Sequence, residues 1–384
     1  MNVLRTILCC ISIELTFGGI LPSINGIVED VFNATKNATE KIQKTTEQAV
    51  GKVVNGTKDV AVMLNEKAFD VGSGIVDRVK GVISKPVNLN DLAFYVVSSK
   101  NPDEAIQIDY HDPGDACEFE AKTFFLIHGW RASANSEWIK DVSKILVSKE
   151  NNTQVIQLDW EKHASDTYGF AAFDTRSIGD FVGILINSLI TTHKIPRENI
   201  VVIGHSLGAQ IAGWAGKKFQ ELNGVKLPRI IALDPAGPFF ILRPDSKKLN
   251  KNDAEVVMVI HTDNDKLGYP SVCGTIDFFP NGGGSQPGCW SVDLGNISTY
   301  TGPVTCDHSR AWQLFREAVE INASFPARQC GNYSNFKKGK CDDNLVIAMS
   351  DLKTVAQGSF YLETNPDSPY SQPLKVHKDD QSEN

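Results

Sequence analysis

Ile200-Val-Val-Ile-Gly-His-Ser-Leu-Gly-Ala-Gln210 decides the fold. The four apolar residues Ile200 to Ile203 predict a buried strand. Gly204-His-Ser-Leu-Gly208 follows, a G-x-S-x-G pattern. A helix is predicted from Gln210 to Leu222, stopped by Asn223-Gly224. A tight strand-to-helix turn strains its serine and presents the hydroxyl outward, and small residues on both sides keep the turn free of clashes. The five-residue pattern recurs by chance. Between a strand and a helix it marks Ser206 as a nucleophile.

Working outward, Leu92 to Val97 reads as a strand and Asn101-Pro102 as a turn. Thr123 to Ile127 is a strand ending in His128-Gly-Trp130, and Val155 to Leu158 is one ending in Asp159-Trp160. Ile178 to Ile190 reads as a helix. Ile230 to Leu233 is a strand before Asp234, and Val256 to Ile260 is one before His261. Apolar strands alternating with helices predict a mostly parallel central sheet covered by helices. Ligand chemistry in such sheets lies beyond the strands' C-terminal ends, here at His128, Gly204, Asp234 and His261.

A serine hydroxyl needs a base, and the base needs a carboxylate to hold its tautomer. In folds of this class the chain order is Ser, then acid, then His. Asp234 is the best acid, with Asp253, Asp263 and Asp277 as rivals. Of the eight histidines, His308 and His261 follow Asp234 outside the polar tail. His308 lies beside Cys306, which can fix its loop, so it is the expected base. The oxyanion donors expected are the backbone amides of Leu207, just after the nucleophile, and Trp130, in the turn after an earlier strand.

Composition agrees with a globular catalyst. The 384 residues are 41% hydrophobic and 22% charged, with a net charge of -8. An acidic chain is a poor default partner for nucleic acid. Residues 1–20 read as a signal peptide: Arg5 precedes an apolar run from Ile7 to Leu21, interrupted by Glu14. Asn33, Asn37, Asn55, Asn151, Asn296, Asn322 and Asn332 begin N-x-S/T glycosylation sequons. No later apolar stretch is long enough to span a membrane. The chain is therefore expected to be secreted.

Removal of the signal leaves six cysteines, an even set that suggests three disulfides. Fifteen pairings are open; chain proximity favours Cys330–Cys341, Cys289–Cys306 and, by remainder, Cys117–Cys273. Residues 21–86 are nearly charge-balanced and free of cysteine, and read as an amphipathic or partly disordered extension. They are a spacer or propeptide, or alternatively a lipid-surface contact. Residues 87–370 form the expected catalytic domain and 371–384 a polar tail.

The sequence resembles the secreted pancreatic lipase family, especially its insect-type phospholipase A1 and lipase branch. The segments that carry the likeness are Phe125-Leu-Ile-His-Gly-Trp130, Asp159-Trp160, Gly204 to Gln210 and Leu233-Asp-Pro-Ala-Gly-Pro238. Asp277-Phe-Phe-Pro-Asn-Gly-Gly283, Gln286-Pro-Gly-Cys289, Cys306-Asp-His-Ser-Arg-Ala311 and Gly358-Ser-Phe-Tyr-Leu362 extend it. The resemblance implies an α/β-hydrolase fold and a triad of Ser206, Asp234 and His308. It implies a lid between Cys289 and Cys306 and a local Cys330–Cys341 bridge. Trp290, Val292, Leu294, Ile297 and Tyr300 are the lid residues expected to meet lipid.

Departures from the family pattern shape the expected function. The chain ends soon after the catalytic domain, so no C-terminal β-sandwich and no colipase-like cofactor are expected. Sixteen residues lie between Cys289 and Cys306, fewer than in the family's triacylglycerol lipases. That shorter cover favours phospholipid substrates and sn-1 release; a triacylglycerol or galactolipid lipase is the alternative. A non-catalytic lipid-binding or yolk-type storage protein is the reading from another class. Where calcium-binding relatives carry a carboxylate-rich loop, this chain offers Asp245, the Lys248 carbonyl, Asn250 and Asp253, so calcium is possible though not required.

Overall fold

A computed structural model describes residues 87–110, 116–289 and 302–375, with backbone only for 302–305. The expected signal peptide, the extension to residue 86 and the lid residues Trp290, Val292, Leu294, Ile297 and Tyr300 lie outside the described residues. So do the sequons at Asn33, Asn37, Asn55 and Asn296. Asn151, Asn322 and Asn332 are exposed.

The strands are β1 (Ala93–Ser98), β2 (Asn101–Ile108), β3 (Lys122–Ile127), β4 (Thr153–Asp159), β5 (Ile200–His205) and β6 (Leu227–Leu233). Further along come β7 (Ala254–Ile260), β8 (Ile276–Pro280), β9 (Pro326–Gln329), β10 (Val346–Ala348) and β11 (Gly358–Leu362). Among the helices are α1 (Glu137–Lys149), α2 (Glu161–Ala164), α3 (Tyr168–Thr191), α4 (Leu207–Asn223), α5 (Gly302–Glu320) and α6 (Tyr333–Lys337). The strands form one sheet in the order β10-β9-β11-β8-β7-β6-β5-β3-β4-β1-β2. The run from β4 to β11 is parallel, and antiparallel pairs close both edges. This is the expected α/β-hydrolase architecture.

Burial explains the apolar runs. Strands covered on both faces cannot alternate apolar with polar, and β3 to β8 are buried almost throughout. Their alternating side chains feed two separate cores. Phe125 and Ile127 face a core completed by Ile178 and Val182 of α3 and Ile211 and Phe219 of α4. Phe124 and Leu126 face the other, completed by Trp138 and Val142 of α1 and Leu314 and Phe315 of α5.

The chain order reverses at β3, whose sequence neighbour β4 lies on one side and β5 on the other. The turns leaving β3 and β5 stand at that switch in strand order, the place where such sheets bind ligands, and they touch, since a Cβ on Gly129 would lie 2.9 Å from Ser206 Cβ. Both the His128-Gly-Trp130 turn and the Ser206 turn lie there.

Two expectations need correction. The turn falls at Ser99-Lys100, and Asn101 already opens β2. More consequentially, Cys289–Cys306 and Cys330–Cys341 are bonded, but Cys117 and Cys273 are free and buried. Cys117 adjoins Glu118, whose amide donates to Gln154 of β4, whereas the Cys273 amide donates to Asp277 of β8. β7, β6, β5 and β3 separate those strands. At a spacing of ~4.8 Å per strand, that distance far exceeds the ~7 Å limit for a disulfide. Burial pushes the Cys117 thiol up to about 12 and the Cys273 thiol well above its ordinary value, so both stay protonated.

α3 and α4 pack through a glycine. A Cβ on Gly179 would lie 2.4 Å from Trp214 Cβ and 2.6 Å from the Ile211 carbonyl oxygen. Gly179→Ala must push the helices apart. Urea denaturation should show a loss of roughly 1–3 kcal/mol, despite alanine's better helix propensity. Equal or greater stability would contradict this packing account.

Candidate active site

Ser206 ends β5 and caps α4 with φ 58°, a region that costs a non-glycine residue free energy. Its amide donates to the Leu233 carbonyl at 3.0 Å, and its own carbonyl accepts from the Ala236 amide at 3.2 Å. The glycines at either end of the motif make the turn possible. A Cβ on Gly204 would lie 2.2 Å from the Gly208 carbonyl oxygen, and one on Gly208 would lie 2.3 Å from that of Ile127. The sequence pattern is thus a packing requirement between β3, β5 and α4.

Asp234 ends β6 and is fully buried. Its Oδ2 lies 2.6 Å from His308 Nδ1, and its Oδ1 accepts from the amides of Thr262 at 2.8 Å and Asp263 at 3.2 Å. With Nδ1 committed to the carboxylate, His308 keeps Nε2 for a reacting proton. His308 is anchored beside the serine turn: its carbonyl is 3.0 Å from His205 Nε2, and the two rings are 4.7 Å apart. Burial, then the neighbouring His308, pushes His205 down to about 3, so it stays neutral and adds no competing charge.

The segment carrying His308 is braced by its neighbour. Asp307 accepts from Lys266 Nζ at 2.7 Å and from the Gln286 amide at 2.6 Å. Gln286 Nε2 in turn donates to the Thr262 and Pro280 carbonyls. These positioning roles were not read from the sequence, although Gln286 and Asp307 stand inside quoted motifs.

Trp130 is brought to the serine through Gly129, where a Cβ would lie 2.9 Å from Ser206 Cβ. His128 shapes that turn. Its Nε2 accepts from the Trp160 amide at 3.1 Å, so Nδ1 carries the proton and donates to the Gly129 carbonyl at 2.9 Å. The Trp160 indole N–H donates back to the His128 carbonyl at 2.9 Å. Leu207 is the first residue of α4, where an amide has no intrahelical acceptor. Among the described residues neither the Trp130 nor the Leu207 amide has a backbone acceptor. Both remain for an anion, favoured further by the positive end of α4.

The rival residues have other partners. His261 Nε2 lies 2.9 Å from Asp277 Oδ1, and the ring stacks on Phe279. Asp277 also accepts from the Cys273 and Gly274 amides. Asp253 is paired with Lys217. Asp263 lies in the same cluster as Asp234 and His308.

The calcium expectation is corrected. Asp245, Lys248, Asn250 and Asp253 do converge, but on nitrogen donors of the chain. Lys217 Nζ donates to the Lys248 carbonyl at 2.7 Å and to Asp253 Oδ1 at 2.5 Å. Asn250 Nδ2 donates to the Asp245 carbonyl at 2.7 Å and to Asp253 Oδ1 at 3.0 Å. Calcium takes six to eight oxygens; these residues do not fit it.

A buried serine turn, a carboxylate-held histidine and two open amides are the equipment of an α/β-hydrolase that attacks esters. The Lipase family model matches residues 42–370, and the chain belongs to that family. It is 36% identical over 256 residues to phospholipase A1 of Vespa velutina, covering 64% of this chain and 81% of that protein. It is 37% identical over 222 residues to lipase member H of Mus musculus, covering 57% of this chain but 47% of that protein. It is 35% identical over 265 residues to inactive pancreatic lipase-related protein 1 of Homo sapiens, covering 65% and 56%. The chain is a carboxylic ester hydrolase acting on lipids. No helix among the described residues is long and apolar enough to cross a membrane.

Asp263 gives the site a pH signature. It is fully buried, its Oδ1 has no hydrogen-bond partner, and Lys266 Nζ stands 3.6 Å away. Burial, then the Asp234 charge, raises its pKa from 3.8 to about 6. A raised carboxylate contributes stability that is full below the unfolded pKa and lost as pH rises through the folded one. In thermal denaturation, wild type should therefore lose stability relative to Asp263→Asn as pH rises from 3.8 to about 6. Parallel curves across that window would contradict the assignment.

Proposed function

We propose that this chain is a secreted phospholipase A1, releasing the sn-1 fatty acid through an acyl-enzyme on Ser206. The observation that carries the catalytic part is the 2.6 Å contact between Asp234 and His308 beside a strained serine turn. The substrate part is supported by the sixteen-residue span between Cys289 and Cys306 and by phospholipase A1 relatives matched over four-fifths of their length.

His308 accepts the Ser206 proton as the hydroxyl oxygen bonds to the ester carbonyl carbon. Asp234 orients the ring and stabilises the imidazolium. The Trp130 and Leu207 amides stabilise the tetrahedral oxyanion. The ester C–O bond then breaks, and His308 hands its proton to the departing glycerol oxygen. Water, deprotonated by His308, attacks the acyl-serine and restores the hydroxyl. Export is supported by the signal-like first twenty residues and the sequons.

Purified protein and Ser206→Ala are compared on phosphatidylcholine, phosphatidylserine and triacylglycerol, with the position of the released acyl chain identified. Wild type is expected to yield 2-acyl lysophospholipid, and Ser206→Ala to lose on the order of 10⁶-fold in kcat. Equal release by both proteins would remove the mechanism. Faster turnover of triacylglycerol than of either phospholipid would remove the head-group preference.

A further inference from the structure

The loop after the acid turn is closed by an ammonium group of the chain itself. Lys217 lies on α4, eleven residues beyond Ser206 and about three turns along the same helix. Its Nζ bonds the Lys248 carbonyl and the buried Asp253 carboxylate. These are two of the oxygens a metal ion in this loop would need. The lysine side chain is 19% exposed and Asp253 is 3% exposed, so the pair is shielded from water.

Asn250 independently argues against a bound ion. Its Oδ1 accepts from the Asn252 amide at 2.9 Å, which fixes the orientation of the side-chain amide. Nδ2 therefore faces the Asp245 and Lys248 carbonyls and Asp253 Oδ1, at 2.7, 3.3 and 3.0 Å. A donor points where a divalent ion requires an acceptor.

The loop also packs directly against the helix. A Cβ on Gly216 would lie 2.1 Å from the Asp253 carbonyl oxygen, so the loop rests on the helix backbone. One turn after the serine, Gln210 Oε1 accepts from the Leu249 amide at 2.8 Å. Its Nε2 donates to the Ala236 carbonyl at 2.9 Å. Gln210 thereby ties the nucleophile helix to both the acid turn and the loop.

We propose that the Lys217 ammonium is a built-in substitute for a divalent cation in the Asp245–Asp253 loop, so the stability of this enzyme is independent of calcium. The thermal midpoint of the full chain is measured in EDTA and in millimolar calcium, for wild type, Lys217→Met, Asp253→Asn and the double variant. Wild type is expected to melt at the same temperature in both solutions. Each single variant should melt roughly 5–10 °C lower, because each strands a buried partner. The double variant should melt above the sum of the two losses, since the two residues act as one interaction. A wild-type midpoint that rises in calcium and falls in EDTA would overturn the proposal, even if no variant folds. Additive losses in the double variant would also overturn it.

Discussion

The strained backbone at Ser206 is the constraint on which the site depends. A serine at φ 58° costs on the order of 1–3 kcal/mol unless its surroundings hold it there. Three strands share that work. β5 delivers the residue, the Leu233 carbonyl at the end of β6 takes its amide, and the Ile127 carbonyl at the end of β3 leaves room only for glycine at position 208. The same contacts set the Leu207 amide and, through Gly129, the Trp130 turn.

Electrostatics then separates groups that sit close together. Asp234 receives two backbone amides besides His308, so its charge is well satisfied. Asp263, its neighbour, has an oxygen without a hydrogen bond and holds its proton to higher pH. His205, against the ring of His308, is kept neutral by burial. His205 and, below about pH 6, Asp263 therefore bring no charge beside the Asp234–His308 contact.

Much of this was legible in the sequence. Four- and five-residue apolar runs ending in a chemically distinctive residue marked β3, β5, β6 and β7, because both faces of those strands are buried. α3 begins ten residues before the predicted Ile178, since Tyr168 to Ser177 carries little apolar periodicity. β8, β9 and β11 pair across long stretches of chain, and nothing local announces such partners. The same limit undid two chemical expectations. Pairing Cys117 with Cys273 by remainder ignored the strands between them. The calcium loop was read within itself, whereas the group that closes it, Lys217, comes from a helix some thirty residues earlier.

The central claim is that Ser206 is activated by His308, which Asp234 holds in place. A phosphonate ester probe, followed by peptide mass mapping, tests it directly. One adduct per chain is expected, on the peptide containing Ser206, and His308→Ala should take it up far more slowly while keeping its fold. No adduct, or an adduct on another residue with Ser206 unmodified, would contradict the account.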